Sequence, residues 1–236
     1  MSRAPDRFSL EVGQLSAQVF SLPSGDVRVL QPADAAELPD DRGVEWAPLV
    51  PYWSVLWRSA IVLAQELGRH RLGGLSVVEL GCGLGVPSIA AARSGAKVLA
   101  TDAAPHALAL VELNAHANDV AMETLQVDWL TPVALVDRAP FDLVLAADVL
   151  YAVSSIAPLL ALLSRLGGEA WLASPDRSAA GVFFSRAARD WLVETEARGP
   201  VRLHRLRKRA HARQTGNGRA ASSRPRPRPL RSPPRR

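Results

Sequence analysis

The feature that most constrains the fold is a regular alternation of short apolar segments with helical segments, which begins at residue 75. The apolar runs are typical of buried strands and lie at residues 75–80, 97–101, 122–127, 141–146 and 169–174. Strands that alternate with helices form right-handed βαβ units. The sequence therefore predicts an α/β fold, in which a doubly wound, mostly parallel sheet carries helices on both faces. Two further strand patterns, at residues 191–197 and 201–207, flank a turn and extend the sheet.

The chain divides into three predicted segments. Residues 1–50 contain loosely alternating apolar residues around a Ser24-Gly25-Asp26 turn, which predicts an N-terminal hairpin followed by a connector. Residues 51–208 form the predicted main domain, which opens with a helix from Trp53 to Leu72. Residues 209–236 are rich in Pro and Arg and have no periodicity, so we expect a disordered basic tail.

Charge is distributed unevenly along the chain. Residues 200–236 hold 13 of the 28 Lys and Arg residues and no Asp or Glu, so the preceding part of the chain is acidic although the net charge is +5. The tail has no interleaved aromatic residues, which argues against base stacking. Contact with nucleic acid through the tail is one interpretation; folding over the acidic body and a solvated extension without a specific role are the others, and we favour the last.

No membrane segment is expected. The N-terminal residues have no apolar core typical of a signal peptide. Residues 143–164 are long enough to raise the question of a membrane span. This run contains Asp148 and Pro158, however, and a strand followed by a helix fits it better. We therefore expect a cytoplasmic protein without a membrane partner.

The loop after the first strand of the alternation has the composition of a ligand-binding loop. It runs Glu79-Leu80-Gly81-Cys82-Gly83-Leu84-Gly85 and precedes a predicted helix. Glycines permit positive φ angles and close approach of a ligand to the backbone. The Glu79 carboxylate would repel a pyrophosphate but suits a ligand with a cationic group. The alternative is a tight strand–helix turn with incidental glycines.

Two more carboxylates follow neighbouring strands. Asp102 ends the second strand, where a carboxylate can accept hydrogen bonds from both ribose hydroxyls. Asp128 ends the third strand, within reach of an adenine edge. Because the carboxyl ends of parallel strands meet at one edge of a sheet, the loop and these carboxylates together predict a nucleotide-type cofactor site. Cys82, the single cysteine, excludes an internal disulfide framework and a Cys-clustered zinc site, and we expect no metal.

These motifs resemble those of the class I S-adenosylmethionine-dependent methyltransferases. The segments YWSVLW, VVELGCGLG, ATD, NAHAND, VDW and FDLVLAADVLY occur in the order found in the methyltransferase-like protein-lysine methyltransferases (family 16). Residues 52–57 are most similar to the branch that contains the electron transfer flavoprotein β-subunit lysine methyltransferase. The resemblance covers about residues 50–198. It implies a seven-stranded sheet in the order 3-2-1-4-5-7-6 with the seventh strand antiparallel.

The resemblance also implies a role for individual residues. Its cofactor would be S-adenosyl-L-methionine, with Asp102 on the ribose and Asp128 and Trp129 beside the adenine. Asp148 and Tyr151 would stand at the mouth, where the substrate meets the methyl group, as the catalytic pair. The remaining cofactor-binding residues would be Trp57, Glu79, Gly81, Gly83 and Gly85.

The implied activity is methyl transfer to a nitrogen nucleophile, and we expect this nucleophile to be a lysine side chain of a protein partner. The alternatives are N-methylation of a small molecule and methylation of RNA with help from the basic tail. No Asn-Pro-Pro-Tyr or Asp-Pro-Pro-Tyr segment follows the fourth strand, which argues against an enzyme that methylates nucleic-acid amino groups. The residues alone leave a structural alternative for three of these positions. Trp57 is equally well explained as a core residue, and the alternatives are a helix N-cap for Asp148 and ordinary packing for Tyr151.

Overall fold

The computed structural model describes residues 14–33 and 52–210. The predictions of a connector before residue 51 and of a disordered tail therefore concern residues that lie mostly outside the described ranges, namely 34–51 and 211–236.

The described residues form nine strands and six α-helices. The strands are β1 (Leu15–Leu22), β2 (Gly25–Pro32), β3 (Ser76–Leu80), β4 (Lys97–Asp102), β5 (Glu123–Gln126), β6 (Leu143–Ala147), β7 (Glu169–Pro175), β8 (Trp191–Arg198) and β9 (Val201–Lys208). The helices are α1 (Arg58–Leu67), α2 (Val86–Arg93), α3 (Pro105–His116), α4 (Val133–Val136), α5 (Ile156–Leu166) and α6 (Ser178–Ala187).

Seven strands form one sheet in the order β5-β4-β3-β6-β7-β9-β8. The five strands β5, β4, β3, β6 and β7 pair in parallel, and β9 is antiparallel to both of its neighbours. Counted without the N-terminal hairpin, this order is 3-2-1-4-5-7-6. The predicted doubly wound α/β sheet is thus confirmed.

Alternate residues of the central strands serve two separate cores. On β3, Val77 packs into the core under α1, α2 and the hairpin, whereas Val78 packs into the core under α4, α5 and α6. On β6, Leu143 and Leu145 face the first core and Val144 faces the second. Strands that are apolar on both faces are typical of parallel sheets covered on both sides, which is why these runs lack polar alternation.

The hairpin β1–β2 is attached to helix α3 by two asparagine side chains. Asn114 accepts a hydrogen bond from the Leu30 amide at 2.6 Å and donates to the Leu30 carbonyl at 3.1 Å. Asn118, one helical turn later, forms the same pair of bonds with the backbone of Arg28, at 2.9 and 2.6 Å. Asn114 also donates to the Leu84 carbonyl at 3.0 Å, so the hairpin, α3 and the glycine loop form one unit.

The predicted helix from Trp53 to Leu72 is shorter in the structure. A 3-10 turn spans Tyr52–Ser54, α1 begins only at Arg58, and the helix ends at Leu67. The Trp57 indole nitrogen donates to the Tyr52 carbonyl at 3.0 Å, which holds the turn apart from the helix. Beyond Gly68, the Leu72 amide donates to Ser94 instead of continuing the helix.

Residues 143–164 form β6, a short turn and most of α5, as expected from their sequence. None of the helices in the described part of the chain has the length and apolar character needed to cross a bilayer.

A buried ionic cluster joins α1 to the strands β8 and β9. Glu66 accepts hydrogen bonds from Arg205 at 2.5 Å, Arg198 at 3.2 Å and His70 at 3.1 Å. Arg205 also lies over the Trp171 ring of β7, with its guanidinium carbon 5.2 Å from the ring centre. We call Glu66, His70, Arg198 and Arg205 the Glu66 cluster; it holds α1 against the far edge of the sheet.

Candidate functional site

A cavity of about 730 Å³ opens at the carboxyl ends of β3, β4 and β6. Between β3 and β6 the chain order of the sheet reverses, and such a switch point is where open α/β sheets bind ligands. The structure brings all ten predicted site residues together in the wall of this cavity: Trp57, Glu79, Gly81, Gly83, Gly85, Asp102, Asp128, Trp129, Asp148 and Tyr151.

The glycine loop needs its glycines for conformation and for space. Gly81, Gly83 and Gly85 have φ angles of 65°, 50° and 75°, in the left-handed region that side chains rarely adopt. A Cβ atom on Gly81 would lie 3.0 Å from Val149, and one on Gly83 would lie 3.1 Å from the Trp53 carbonyl oxygen. The loop backbone is therefore held close to the cavity floor, where a ligand can approach it.

Glu79 lies on the cavity floor and is 1% exposed. Its Oε2 accepts hydrogen bonds from the Ser88 amide at 2.9 Å and the Ser88 hydroxyl at 2.5 Å. The carboxyl group thereby caps α2, whose N-cap residue Gly85 has no side chain to do so. Burial raises the pKa of Glu79 to about 8, because the Ser88 donors compensate only in part and the Asp102 carboxylate adds repulsion.

Asp102 joins the end of β4 to the glycine loop. Its Oδ2 accepts from the Gly83 amide at 3.0 Å, and its Oδ1 accepts from the Ala104 amide at 2.9 Å. Burial raises the pKa of Asp102, and these backbone donors oppose the rise. Each carboxylate oxygen has a further lone pair, so the group can still accept from hydroxyls of a ligand in the cavity.

Asp128 and Trp129 follow β5 at the next position along the edge of the sheet. Asp128 accepts a hydrogen bond from the Leu130 amide at 2.8 Å, which fixes a local turn. Trp129 packs partly against the core under α5 and also lines the cavity. The pair offers a flat aromatic surface beside a carboxylate, which suits a planar heterocycle with an amino group.

Aromatic side chains from the segment before α1 form the wall opposite the sheet. The Tyr52 and Trp57 rings lie 6.4 Å apart, and Tyr52 also stacks on Tyr151 at 6.0 Å. Trp53 stacks on His106 of α3 at 6.0 Å, so this exposed histidine also helps to position the wall. Trp57 lines the cavity, so the alternative prediction that it is an ordinary core residue is wrong.

Asp148 and Tyr151 stand at the mouth of the cavity, after β6. Asp148 is buried and has a φ angle of 58°, an uncommon conformation for a residue with a side chain. Tyr151 is 51% exposed and lies at the rim, where its ring stacks on Tyr52. Burial raises the pKa of the Tyr151 hydroxyl, and Asp102 and Tyr52 add to the effect.

The helix-cap alternative for Asp148 is also wrong. Its carboxylate bonds to Ser59 of α1 and to Arg177 after β7, whereas Ser155 occupies the N-cap position of α5. Two partners of the site carboxylates, Ser59 and Ser88, were not predicted from the sequence. Neither carries a local signal, because each meets its carboxylate through the fold.

Comparisons with known proteins place this site in a family. A family model described as lysine methyltransferase matches residues 53–184. The protein N-lysine methyltransferase METTL21A of Danio rerio is 35% identical over 120 residues, which cover 48% of this chain and 55% of the relative. The histone-arginine methyltransferase METTL23 of Xenopus laevis is 33% identical over 155 residues, covering 61% and 62%. The chain thus spans less than two thirds of these relatives.

Solved structures show the same fold. The 16S rRNA N2 G1207 methyltransferase of T. Thermophilus, solved with AdoMet and guanosine, superposes with a TM-score of 0.59 at 17% identity, covering 84% of this chain and 51% of that one. The ribosomal protein L11 methylase of Lactobacillus delbrueckii subsp. bulgaricus superposes with a TM-score of 0.55 at 23% identity, covering 66% and 81%. At these identities the likeness concerns the fold alone.

Proposed function

The chain belongs to the lysine methyltransferase family, and from this premise we propose that it transfers a methyl group from S-adenosyl-L-methionine to the side-chain nitrogen of a protein lysine. The observation that carries the proposal is the cavity itself. Its floor and edge bring Glu79, Asp102 and Asp128 together at successive strand ends, beside a glycine loop with positive φ angles. The protein N-lysine methyltransferases among the relatives support lysine as the acceptor.

The donor groups of the cavity fit S-adenosyl-L-methionine. Asp102 offers carboxylate oxygens to ribose hydroxyls, and Trp129 with Asp128 offers a surface for the adenine. Glu79 is a buried carboxyl group that no described cation neutralises, so an amino-acid end group with its ammonium would complete it. When bound, the cofactor supplies a methyl group made electrophilic by a sulfonium sulfur.

The residues of this chain then position the acceptor. Methyl transfer needs in-line approach of a neutral nitrogen and little proton chemistry, so orientation supplies most of the rate. The Tyr52, Trp57 and Tyr151 rings line the approach from the mouth and hold an alkyl amine by its apolar stem. The amine gives up its proton to solvent at the mouth of the cavity, because a protonated nitrogen has no lone pair with which to attack the methyl group.

A labelling experiment tests this proposal. The protein is incubated with cell lysate and S-adenosylmethionine that carries a labelled methyl group, and the labelled products are fractionated and hydrolysed. We expect label in the protein fraction, recovered as methyl-lysine, and none with Asp102→Ala. Label only in RNA or in small molecules, or label recovered as methyl-arginine, would overturn the assignment of lysine.

The resemblance to the flavoprotein-modifying branch remains a prediction. Relatives of that branch often contain Asp-Pro-Gly-Arg at the end of the fifth strand of the sheet, where this chain has Ser174-Pro175-Asp176-Arg177 and keeps only the arginine in place. The same lysate experiment identifies the labelled protein and thereby tests the branch.

A further inference from the structure

The acidic residue at the mouth of the cavity is already neutralised by a cation of its own chain. Asp148 Oδ1 lies 2.6 Å from Nη1 of Arg177, and Oδ2 accepts a hydrogen bond from the Ser59 hydroxyl at 3.0 Å. The two side chains of the ion pair are only 4% and 15% exposed. An incoming nitrogen therefore meets a carboxylate whose charge is compensated, in a place where water screens charges poorly.

This ion pair is held at an energetic cost. Within residues 14–33 and 52–210, the Nε and Nη2 atoms of Arg177 are buried and have no hydrogen-bond partner. Asp148 adopts its left-handed backbone conformation on the same cavity wall. Unpaired buried donors and strained backbone both raise the free energy of a fold, and they concentrate at functional sites. An ion pair that only joined the segments after β6 and β7 would require neither the unpaired donors nor the strained backbone.

Arg177 is placed to act on the acceptor side of the cavity. It precedes α6, lines the cavity, and its guanidinium carbon lies 5.8 Å from the centre of the Trp57 ring. Glu79 and Asp102, by contrast, bond to donors of the glycine loop and of α2 and α3. The fixed positive charge of Arg177 therefore adjoins the aromatic approach rather than the cofactor floor.

We propose that Arg177 determines the substrate class of this site: by neutralising Asp148, it admits a neutral primary amine and excludes a guanidinium. The inference rests on the proposed methyl transfer and assigns it to lysine over arginine. A lysine amine has an ordinary pKa near 10.4, and a neighbouring cation makes loss of its proton easier. A guanidinium keeps its proton at every physiological pH. At the mouth of the cavity it would meet the like charge of Arg177, beside an Asp148 carboxylate that is already paired.

Six other titratable side chains line the cavity: Tyr52, Glu79, Cys82, Asp102, Asp128 and Tyr151. They are present in the parent protein and in every Arg177 variant. Because loss of a cation also alters the titration of its neighbours, the charge-conserving variant Arg177→Lys is needed beside Arg177→Gln to isolate the charge of Arg177.

Two small probes test the inference without the cofactor. n-Butylamine reproduces the end of a lysine side chain and n-butylguanidine that of an arginine. Dissociation constants are measured by NMR titration from about pH 7 to about pH 10, from the ring resonances of Trp57 and Tyr151, which report on the mouth and not on Glu79. In the parent protein, butylamine binding strengthens as the pH rises towards the pKa of the amine. Butylguanidine binds at least about tenfold more weakly than butylamine at the upper end of this range.

Arg177→Gln removes the cation that pairs with the Asp148 carboxylate. We expect it to bind butylguanidine, and butylamine at about pH 7, at least about tenfold more tightly than the parent, with little pH dependence. Arg177→Lys keeps a cation beside Asp148 and should keep the parent pattern. Arg202→Gln is the matched control, because Arg202 pairs with Asp176 in an exposed ion pair outside the cavity.

The outcomes separate the two proposals. A parent cavity that binds neither probe, or both equally, overturns the role of Arg177, as does an unchanged preference in folded Arg177→Gln. If Arg177→Gln does not fold, the parent and Arg177→Lys still decide, because both must prefer the neutral amine. Methyl transfer is measured separately: its absence with an intact probe preference overturns the proposed function and not the selectivity of the cavity.

Discussion

Two buried glutamates, Glu66 in α1 and Glu79 at the end of β3, lie in opposite electrostatic surroundings. In the Glu66 cluster, the hydrogen bond from His70 and the charges of Arg205 and Arg198 outweigh burial and lower the pKa of Glu66 to about 2. Around Glu79 burial dominates, because its bonding partners are the amide and hydroxyl of Ser88, and its pKa rises to about 8. Both side chains are almost inaccessible to solvent, being 4% and 1% exposed, but Glu79 lies deeper in the protein and lacks cationic partners.

The contrast distinguishes a carboxylate whose charge the fold itself stabilises from one whose charge is not stabilised in the ligand-free protein. A buried carboxylate that serves only the fold needs a cation nearby, and the Glu66 cluster supplies several. Burial disfavours the charged form of Glu79, and no described cation compensates for this effect. The residue lies on the floor of a cavity that a ligand can enter. Perturbed carboxyl groups of this kind concentrate at functional sites. Glu79 is therefore poised for a ligand with a positive charge.

Among the variants that test this comparison, the largest loss of stability is expected at the Glu66 cluster. Glu66→Gln removes the buried carboxylate that bonds to His70, Arg198 and Arg205 and leaves the two arginines with Glu196 as their remaining acidic partner. We expect the free energy of unfolding at neutral pH to fall by about 3 kcal/mol. Urea denaturation measures this change. A loss well below 1 kcal/mol would show that the cluster is solvated in the folded protein and that the contrast with Glu79 is false.

The pH dependence of stability separates the two glutamates. Glu79 has a raised pKa in the folded state, so its contribution to stability is complete below about pH 4.5 and is lost as the pH rises towards about 8. Glu66 has a lowered pKa, so its contribution is present above about pH 4.5 and is lost as the pH falls towards about 2. Each group contributes at most about 1.4 kcal/mol per pH unit.

Unfolding midpoints measured across this range in the ligand-free protein test both signs. Glu79→Gln should flatten the decline between about pH 4.5 and about pH 8, and Glu66→Gln should flatten the acid limb below it. If Glu79→Gln instead flattens the acid limb, Glu79 is an ordinary ionised carboxylate in the folded state.

The smallest effect on the fold is expected for Glu79→Gln at neutral pH. Glutamine has the shape of the protonated carboxyl group and keeps an oxygen for the two Ser88 donors. The free energy of unfolding should change by less than about 1 kcal/mol, whereas the affinity for S-adenosylmethionine should fall about tenfold. Calorimetric titration measures the affinity, with Glu66→Gln as the matched variant. Equal loss of affinity in both variants would remove the distinction between the two regions.

The sheet and the position of the site were predictable from the sequence for a physical reason. Parallel strands buried on both faces are continuous apolar runs, and their carboxyl ends share one edge, so Glu79, Asp102 and Asp128 had to converge. Helix boundaries were harder to predict from the sequence. The start of α1 depends on the bond between Trp57 and Tyr52, and the four-residue helix α4 is too short to show a period.

The partners of the site carboxylates were not predictable. Ser59 and Arg177 meet Asp148 across 89 and 29 residues of chain. Asn114 lies in α3 and Asn118 in the turn after it, and the sequence there gives no sign that their amides bind a hairpin more than 80 residues earlier. Such contacts follow from the packing of complete elements and leave no local pattern in the sequence.

The central claim is that the cavity at the strand ends binds S-adenosylmethionine through its carboxylates. Its most direct test is calorimetric titration of the full chain and of Asp102→Ala with this cofactor, after thermal unfolding has shown that both are folded. The account predicts one site in the parent protein and an affinity at least about tenfold weaker in the variant, because a carboxylate that accepts from ribose hydroxyls is lost. Absence of binding in the parent, or equal affinity in folded Asp102→Ala, would contradict it.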